Sequence, residues 1–218
     1  ITKEKSVALY AALVSFGTYV FIFGFRKSFT VCTFEGMTFG PIAFKTAMVI
    51  SQMLGYLMAK FYGIKFISGL EKKHRYKIIF LLTGIAWAAW LLFAIVPAPY
   101  SILFLFINGF PLGMLWGVVF SYVEGRRSTD FIGAALAVSF IFSAGWVKSV
   151  GAWLMLNFNI SETWVPFCTG LVFALPLVLF VWGLEKVPPP SKEDEALRAK
   201  RIPMTGEDRK LILKQYLP

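Results

Sequence analysis

Four basic residues stand in stretches that are otherwise apolar. Arg26 and Lys27 interrupt a run that reads Tyr19-Val20-Phe21-Ile22-Phe23-Gly24-Phe25 before them and Ser28-Phe29-Thr30-Val31 after them. Lys60 follows Gly55-Tyr56-Leu57-Met58-Ala59, and Lys148 follows Gly145-Trp146-Val147. Matching carboxylates are missing from these stretches: Glu35 closes the first, Glu124 and Asp130 fall beside Arg126 and Arg127, and Glu162 falls between two later apolar runs. Cations without counter-ions in apolar surroundings are most readily stabilised by a bound anion. Arg26 is the best anchor, because a guanidinium fork grips phosphate or carboxylate with two parallel hydrogen bonds. Tyr19 lies about 20° from Arg26 around a helix of 3.6 residues per turn, so a phenol and a guanidinium share one face. Lys27, about 100° from Arg26, turns instead to another helix or to the membrane surface. The candidate substrate-binding set is therefore Arg26, Tyr19, Lys60 and Lys148. Each cation also has a plainer reading, a side chain snorkelling to the membrane surface. For Arg26, the apolar run continuing through Phe34 argues against a helix end there.

The elements that must carry these residues are membrane helices. The 218 residues are 57 % hydrophobic, 17 % aromatic and only 16 % charged, with a mean hydropathy of +0.68. A soluble chain of this length has too little interior to hide so much apolar surface. Six stretches reach the ~20 residues that a bilayer crossing needs, at about 6–34, 41–64, 77–96, 99–123, 131–156 and 164–184. The expectation is an all-α, polytopic six-helix bundle over residues 1–186, followed by a charged linker over 187–218 with a short amphipathic pattern at 207–216. A linker of that kind implies a second six-helix half, or a homodimer partner, to complete a cavity.

The net charge of +10 is a topological signal. Lys3 and Lys5 precede the first stretch; Lys65, Lys72, Lys73, Arg75 and Lys77 lie between the second and third; Arg126 and Arg127 lie between the fourth and fifth. The alternate connections, 96–99 and 157–163, hold no lysine or arginine. This asymmetry places both termini in the cytoplasm and the bundle in the inner membrane, and it leaves nucleic acid a poor partner. Cys32 and Cys168 are too few for a metal knuckle or a disulfide framework. His74 is the sole histidine, so no metal cluster or serine-histidine triad is expected, and there is no phosphate-binding glycine loop of the P-loop type. No enzyme activity and no cofactor is expected. Gly109, Gly113 and Gly117 recur every fourth residue, a bare stripe on which another backbone can rest. Gly133, Ala134, Ala137, Ser143, Ala144 and Gly145 repeat that theme, so the fourth and fifth helices are expected in the bundle interior.

Taken together, these motifs resemble a known group of transporters. Tyr19 followed by Phe25-Arg26-Lys27-Ser28-Phe29 resembles the first helix of the organophosphate:phosphate antiporters of the major facilitator superfamily. Ser51-Gln52-Met53-Leu54-Gly55-Tyr56-Leu57-Met58-Ala59-Lys60-Phe61 is similar to their second helix, Gly113-Met114 with Trp116 to their fourth, and Lys214-Gln215-Tyr216-Leu217-Pro218 to the end of their central loop. Pro111-Leu112-Gly113-Met114 and Glu124-Gly125-Arg126-Arg127 resemble more closely still an uncharacterised bacterial membrane family of unknown function. The antiporter resemblance implies the N-terminal half of a twelve-helix, alternating-access transporter, with Arg26 as its phosphate-binding arginine, Tyr19 as its cavity tyrosine and Lys60 as its second-helix lysine. Two departures count against exchange of phosphate for a phosphate ester. Phe142 stands where those antiporters carry a histidine, and the loop Ile67-Ser68-Gly69-Leu70-Glu71-Lys72-Lys73 has no aspartate at the matching place. What remains is a transporter half for an organic anion, phosphorylated or not, with Lys148 as a partial replacement for the missing cation. The other expectation is a non-transporting membrane subunit or scaffold with a transporter-like fold.

Overall fold

The computed structural model describes residues 3–68, 74–191, 193–194 and 215. Helix α1 (Lys3–Lys27) continues as a 3-10 turn (Ser28–Val31), and a small antiparallel hairpin, β1 (Thr38–Phe39) and β2 (Ile42–Ala43), leads into α2 (Phe44–Ser68). In the hairpin Thr38 pairs with Ala43 and Phe39 with Ile42. The remaining elements are α3 (Arg75–Ile95), α4 (Ile102–Phe120), α5 (Thr129–Phe158) and α6 (Val165–Glu185). The expected linker is described only at its start, and all of the amphipathic pattern except Gln215 lies outside the described residues.

Among the described residues five helices are long and apolar enough to cross a membrane: Glu4–Val31, Arg75–Ile95, Ile102–Phe120, Thr129–Phe158 and Val165–Glu185. They are the helices of a multi-pass membrane protein. The sixth expected span, α2, is 25 residues long, but Lys45, Gln52 and Lys60 dilute its apolar character. The helices also leave bulky apolar groups such as Leu13, Leu81, Ile141, Leu156 and Leu175 well exposed, as lipid-facing surfaces require.

Within the bundle α4 is the hub. It packs on α2 and α3, while α1 packs on α5 and α6 and touches α4 less extensively. The α4–α2 seam depends on missing side chains. A Cβ on Gly109 would stand 2.2 Å from the carbonyl oxygen of Gln52, and one on Gly55 would stand 2.2 Å from that of Phe106. The stripe read from Gly109, Gly113 and Gly117 therefore lies against α2, where it lets two backbones meet.

Two expectations fail. The α-helical part of α1 ends at Lys27, although the apolar run continues to Phe34, which itself adopts a left-handed φ of 53°. The cause is tertiary: side chains from three other helices take the carbonyls of Phe25 and Arg26, so the helix need not continue to satisfy them. Likewise, α5 is not an interior helix. Its buried stripe is Ile132, Leu136, Ser139, Ser143, Val147, Gly151 and Leu154. Ala134, Ala137, Ala144 and Gly145 lie on its exposed side, where no helix among the described residues packs.

Candidate functional site

The site grows from the end of α1. Arg26, in the last turn, is half-buried, and its guanidinium carbon lies 4.1 Å from the centroid of the Tyr56 ring on α2. The ammonium of Lys60 lies 4.6 Å from the same centroid. Tyr56 and Lys60 are four residues apart and so share a face of α2. Each cation over an aromatic face gains about 0.5–2 kcal/mol, which holds the pair in place but neutralises neither charge. Among the described residues neither Arg26 nor Lys60 forms an ion pair, and the Nε of Arg26 is buried with no hydrogen-bond partner. Glu35 is exposed in the turn beyond α1.

Tyr19 forms the floor of this group. It is only 2 % exposed, and the Tyr56 and Arg26 side chains lie close enough to act on it electrostatically. Its ring stands edge-on to Trp116 of α4 at 5.3 Å and to Phe140 of α5 at 4.9 Å. The structure thus gathers Tyr19, Arg26 and Lys60 around one unanticipated residue, Tyr56. It does not bring in Lys148, which is exposed on α5 and makes no hydrogen bond or ring contact with the others. Lys27 points elsewhere, with its ammonium 5.9 Å from the Phe29 centroid.

A fully buried polar framework sets the position of Arg26. Trp90 donates from Nε1 to the carbonyl of Phe25 at 2.5 Å. Asn108 donates to that same oxygen at 3.0 Å and to the carbonyl of Ala86 at 2.9 Å. Gln52 donates at 2.8 Å both to the carbonyl of Arg26 and to Oδ1 of Asn108. The last carbonyls of a helix have no partner within it; here α2, α3 and α4 supply three side chains that fix where α1 stops. Sequence reasoning that searched for charges missed Tyr56, Gln52, Asn108 and Trp90. The available signal was an amide in each of two apolar helices, where an unpaired polar group is costly.

Two further polar groups brace the ends of the bundle. Beyond α1, Glu162 accepts hydrogen bonds from the backbone N–H groups of Thr33 and Phe34, both at 2.6 Å, and from the Thr33 hydroxyl at 2.9 Å. Lys45 donates to the carbonyls of Thr30 at 3.1 Å and Cys32 at 2.5 Å. Partial desolvation alone would raise the Glu162 carboxyl, but the Thr33 and Phe34 bonds and the nearby Lys45 ammonium outweigh it and hold the group below its ordinary range. Burial, with Glu162 adding to it, pushes the neighbouring Cys32 thiol up to about 12, so it stays protonated.

At the opposite end, Arg75, Ser121, Tyr122, Glu124, Arg126 and Glu185 line a cavity of about 230 Å³ together with Pro188, Pro189 and Pro190. Arg75 donates to the Ser121 carbonyl at 2.6 Å, Arg126 donates to the Pro188 carbonyl, and Tyr122 donates to Glu185. Burial first, and then that bond, raise the Tyr122 phenol well above its ordinary value, so it remains a donor.

A family model described as a family of unknown function, DUF5690, matches residues 28–218. The chain belongs to this family. The DUF5690 match takes in Gln52, Tyr56, Lys60 and Asn108, and it begins two residues after Arg26. No curated protein and no solved structure matches the chain. The likeness to organophosphate:phosphate antiporters therefore has no counterpart in these comparisons.

Proposed function

We propose that this chain is one six-helix half of a membrane transporter that binds an organic anion between its helices and moves it by alternating access. The observation that carries the reading is the pairing of Arg26 and Lys60 on the ring of Tyr56, with no ion-pairing carboxylate among the described residues. Two cations held this way in a membrane bundle need an anion to offset them. A guanidinium that lies over a ring keeps the N–H groups of its edge free for an oxyanion.

The composition of α2 supports the same reading. A helix with Lys45, Gln52, Tyr56 and Lys60 is poorly suited to face lipid on all sides and well suited to cross the membrane beside a water-filled path. With α2 as the sixth span, the basic connections fall on one side and both termini are cytoplasmic. The organophosphate:phosphate antiporter resemblance fits this arrangement, and the opposing half would come from the same polypeptide or from a second copy.

The test is ligand-induced stabilisation of the purified protein in a mild detergent, with a panel of phosphate and carboxylate compounds, for wild type and Arg26→Ala. Wild type is expected to gain thermal stability with at least one anion, and Arg26→Ala to lose that gain. An equal gain in both would remove Arg26 as the anchor.

A further inference from the structure

We infer that the organic part of this anion is apolar and poor in hydroxyl groups, an aryl or alkyl phosphate in preference to a polyol or sugar phosphate. The inference rests on the proposed anion site and specifies what lies beside it. The charged head has Arg26 and Lys60. Next to them, across Tyr19, stand Trp116 and Phe140, both half-buried. Their rings stack on each other at 5.2 Å, so they form a continuous aromatic pair that stays part-exposed. On α2, Met53 and Leu57 flank Tyr56 and Lys60 and are 59 % and 54 % exposed.

Polar groups able to serve hydroxyls are scarce on this surface. The Tyr19 phenol is buried beneath this surface, with Tyr56 beside it. Gln52 and Asn108 are buried, with their amide groups committed to backbone carbonyls and to one another. A polyol phosphate brought here would give up water around several hydroxyls and find few replacements, which opposes binding. An aryl phosphate would lose no such bonds and would bury apolar area against Trp116 and Phe140, which favours it.

The experiment is a binding series on the full chain in lipid nanodiscs with three probes: inorganic phosphate, glycerol phosphate and phenyl phosphate. The expected order is phenyl phosphate tightest, by on the order of tenfold over glycerol phosphate. Trp116→Leu and Phe140→Leu are expected to remove most of that advantage, bringing phenyl phosphate to within about twofold of glycerol phosphate in each variant. If those variants do not fold, the wild-type order of the three probes decides the matter alone. Glycerol phosphate binding as tightly as phenyl phosphate, with inorganic phosphate still dependent on Arg26, would overturn this inference and leave the anion site standing. Failure of all three probes to bind, or binding indifferent to Arg26→Ala, would overturn both.

Discussion

Arg26 and the pair Arg75 and Arg126 differ in what surrounds the same side chain. All three keep a buried Nε without a hydrogen-bond partner. Around Arg75 the Ser121 carbonyl accepts a bond and Glu124 and Glu185 lie close enough to attract it; around Arg126 the Pro188 carbonyl accepts a bond and Asp194 attracts it. Around Arg26 there is the face of Tyr56 and a second cation on the same ring. An arginine whose charge is answered by its own chain acts as a brace between a turn and a helix end. One whose charge is left to an aromatic ring stays available to a ligand. Burial and residue type are alike in the two regions, so the presence of acidic partners is what separates them.

The largest effect is expected where the site is held in place. Asn108→Leu would strand a donor of Gln52, leave the Phe25 carbonyl to Trp90 alone, and leave the Ala86 carbonyl with only its bond inside α3. A buried donor stranded this way costs about 1–3 kcal/mol and each carbonyl bond lost about 0.5–1.5 kcal/mol, so a loss of about 3 kcal/mol is expected, read as a large drop in thermal midpoint in detergent. A midpoint close to wild type would mean that the end of α1 is fixed by something other than this framework. The next effect separates the two kinds of arginine directly. Arg26→Ala is expected to weaken anion binding by about two orders of magnitude, the worth of a charge-assisted bidentate contact, with little change in stability. Arg126→Ala should do the reverse, leaving ligand-induced stabilisation intact and lowering the midpoint slightly. Calorimetric titration beside thermal unfolding of both variants checks the contrast, and a matching binding loss in Arg126→Ala would erase it.

Much of this architecture can be read from hydropathy, because a span announces itself by length and composition alone. Helices α3, α4, α5 and α6 begin and end within a few residues of the expected stretches. The end of α1 could not be read that way, since it is decided by donors that arrive from α2, α3 and α4. The group around Tyr56 was legible to the extent that charge in an apolar stretch is legible. Arg26, Lys60 and Tyr19 stand out by type, but their common centre at Tyr56 depends on how α1 and α2 sit on α4. Lys148 shows the limit of the same reasoning. It is as conspicuous in sequence as Lys60, yet no contact joins it to the ring that gathers the others. The small residues of α5 mislead for a related reason: periodicity marks a face but not which face another helix covers.

The smallest effects belong to the exposed braces. Glu162 has its folded-state pKa held below its unfolded value of about 4.3. Its contribution is therefore complete above the unfolded value and is lost as pH falls through the folded one. Wild type should lose stability on acidification below about pH 4, and Glu162→Gln should have a lower midpoint at neutral pH with a flatter profile across that acid window. A parallel pair of profiles would show that the Thr33 and Phe34 bonds do not depend on the charge. Smaller still is Arg127, whose guanidinium sits 3.8 Å from Glu193 with the two side chains 55 % and 81 % exposed. Its backbone N–H, which bonds Asp194 at 2.9 Å, survives substitution. Arg127→Ala should therefore cost no more than about 0.5 kcal/mol, as exposed pairs usually do, and that loss should vanish in high salt. A larger, salt-resistant loss would mean that the segment after α6 is held by charge as firmly as α1 is held by its buried amides, and that the two ends of the bundle are braced by different physics than the exposure of this pair implies.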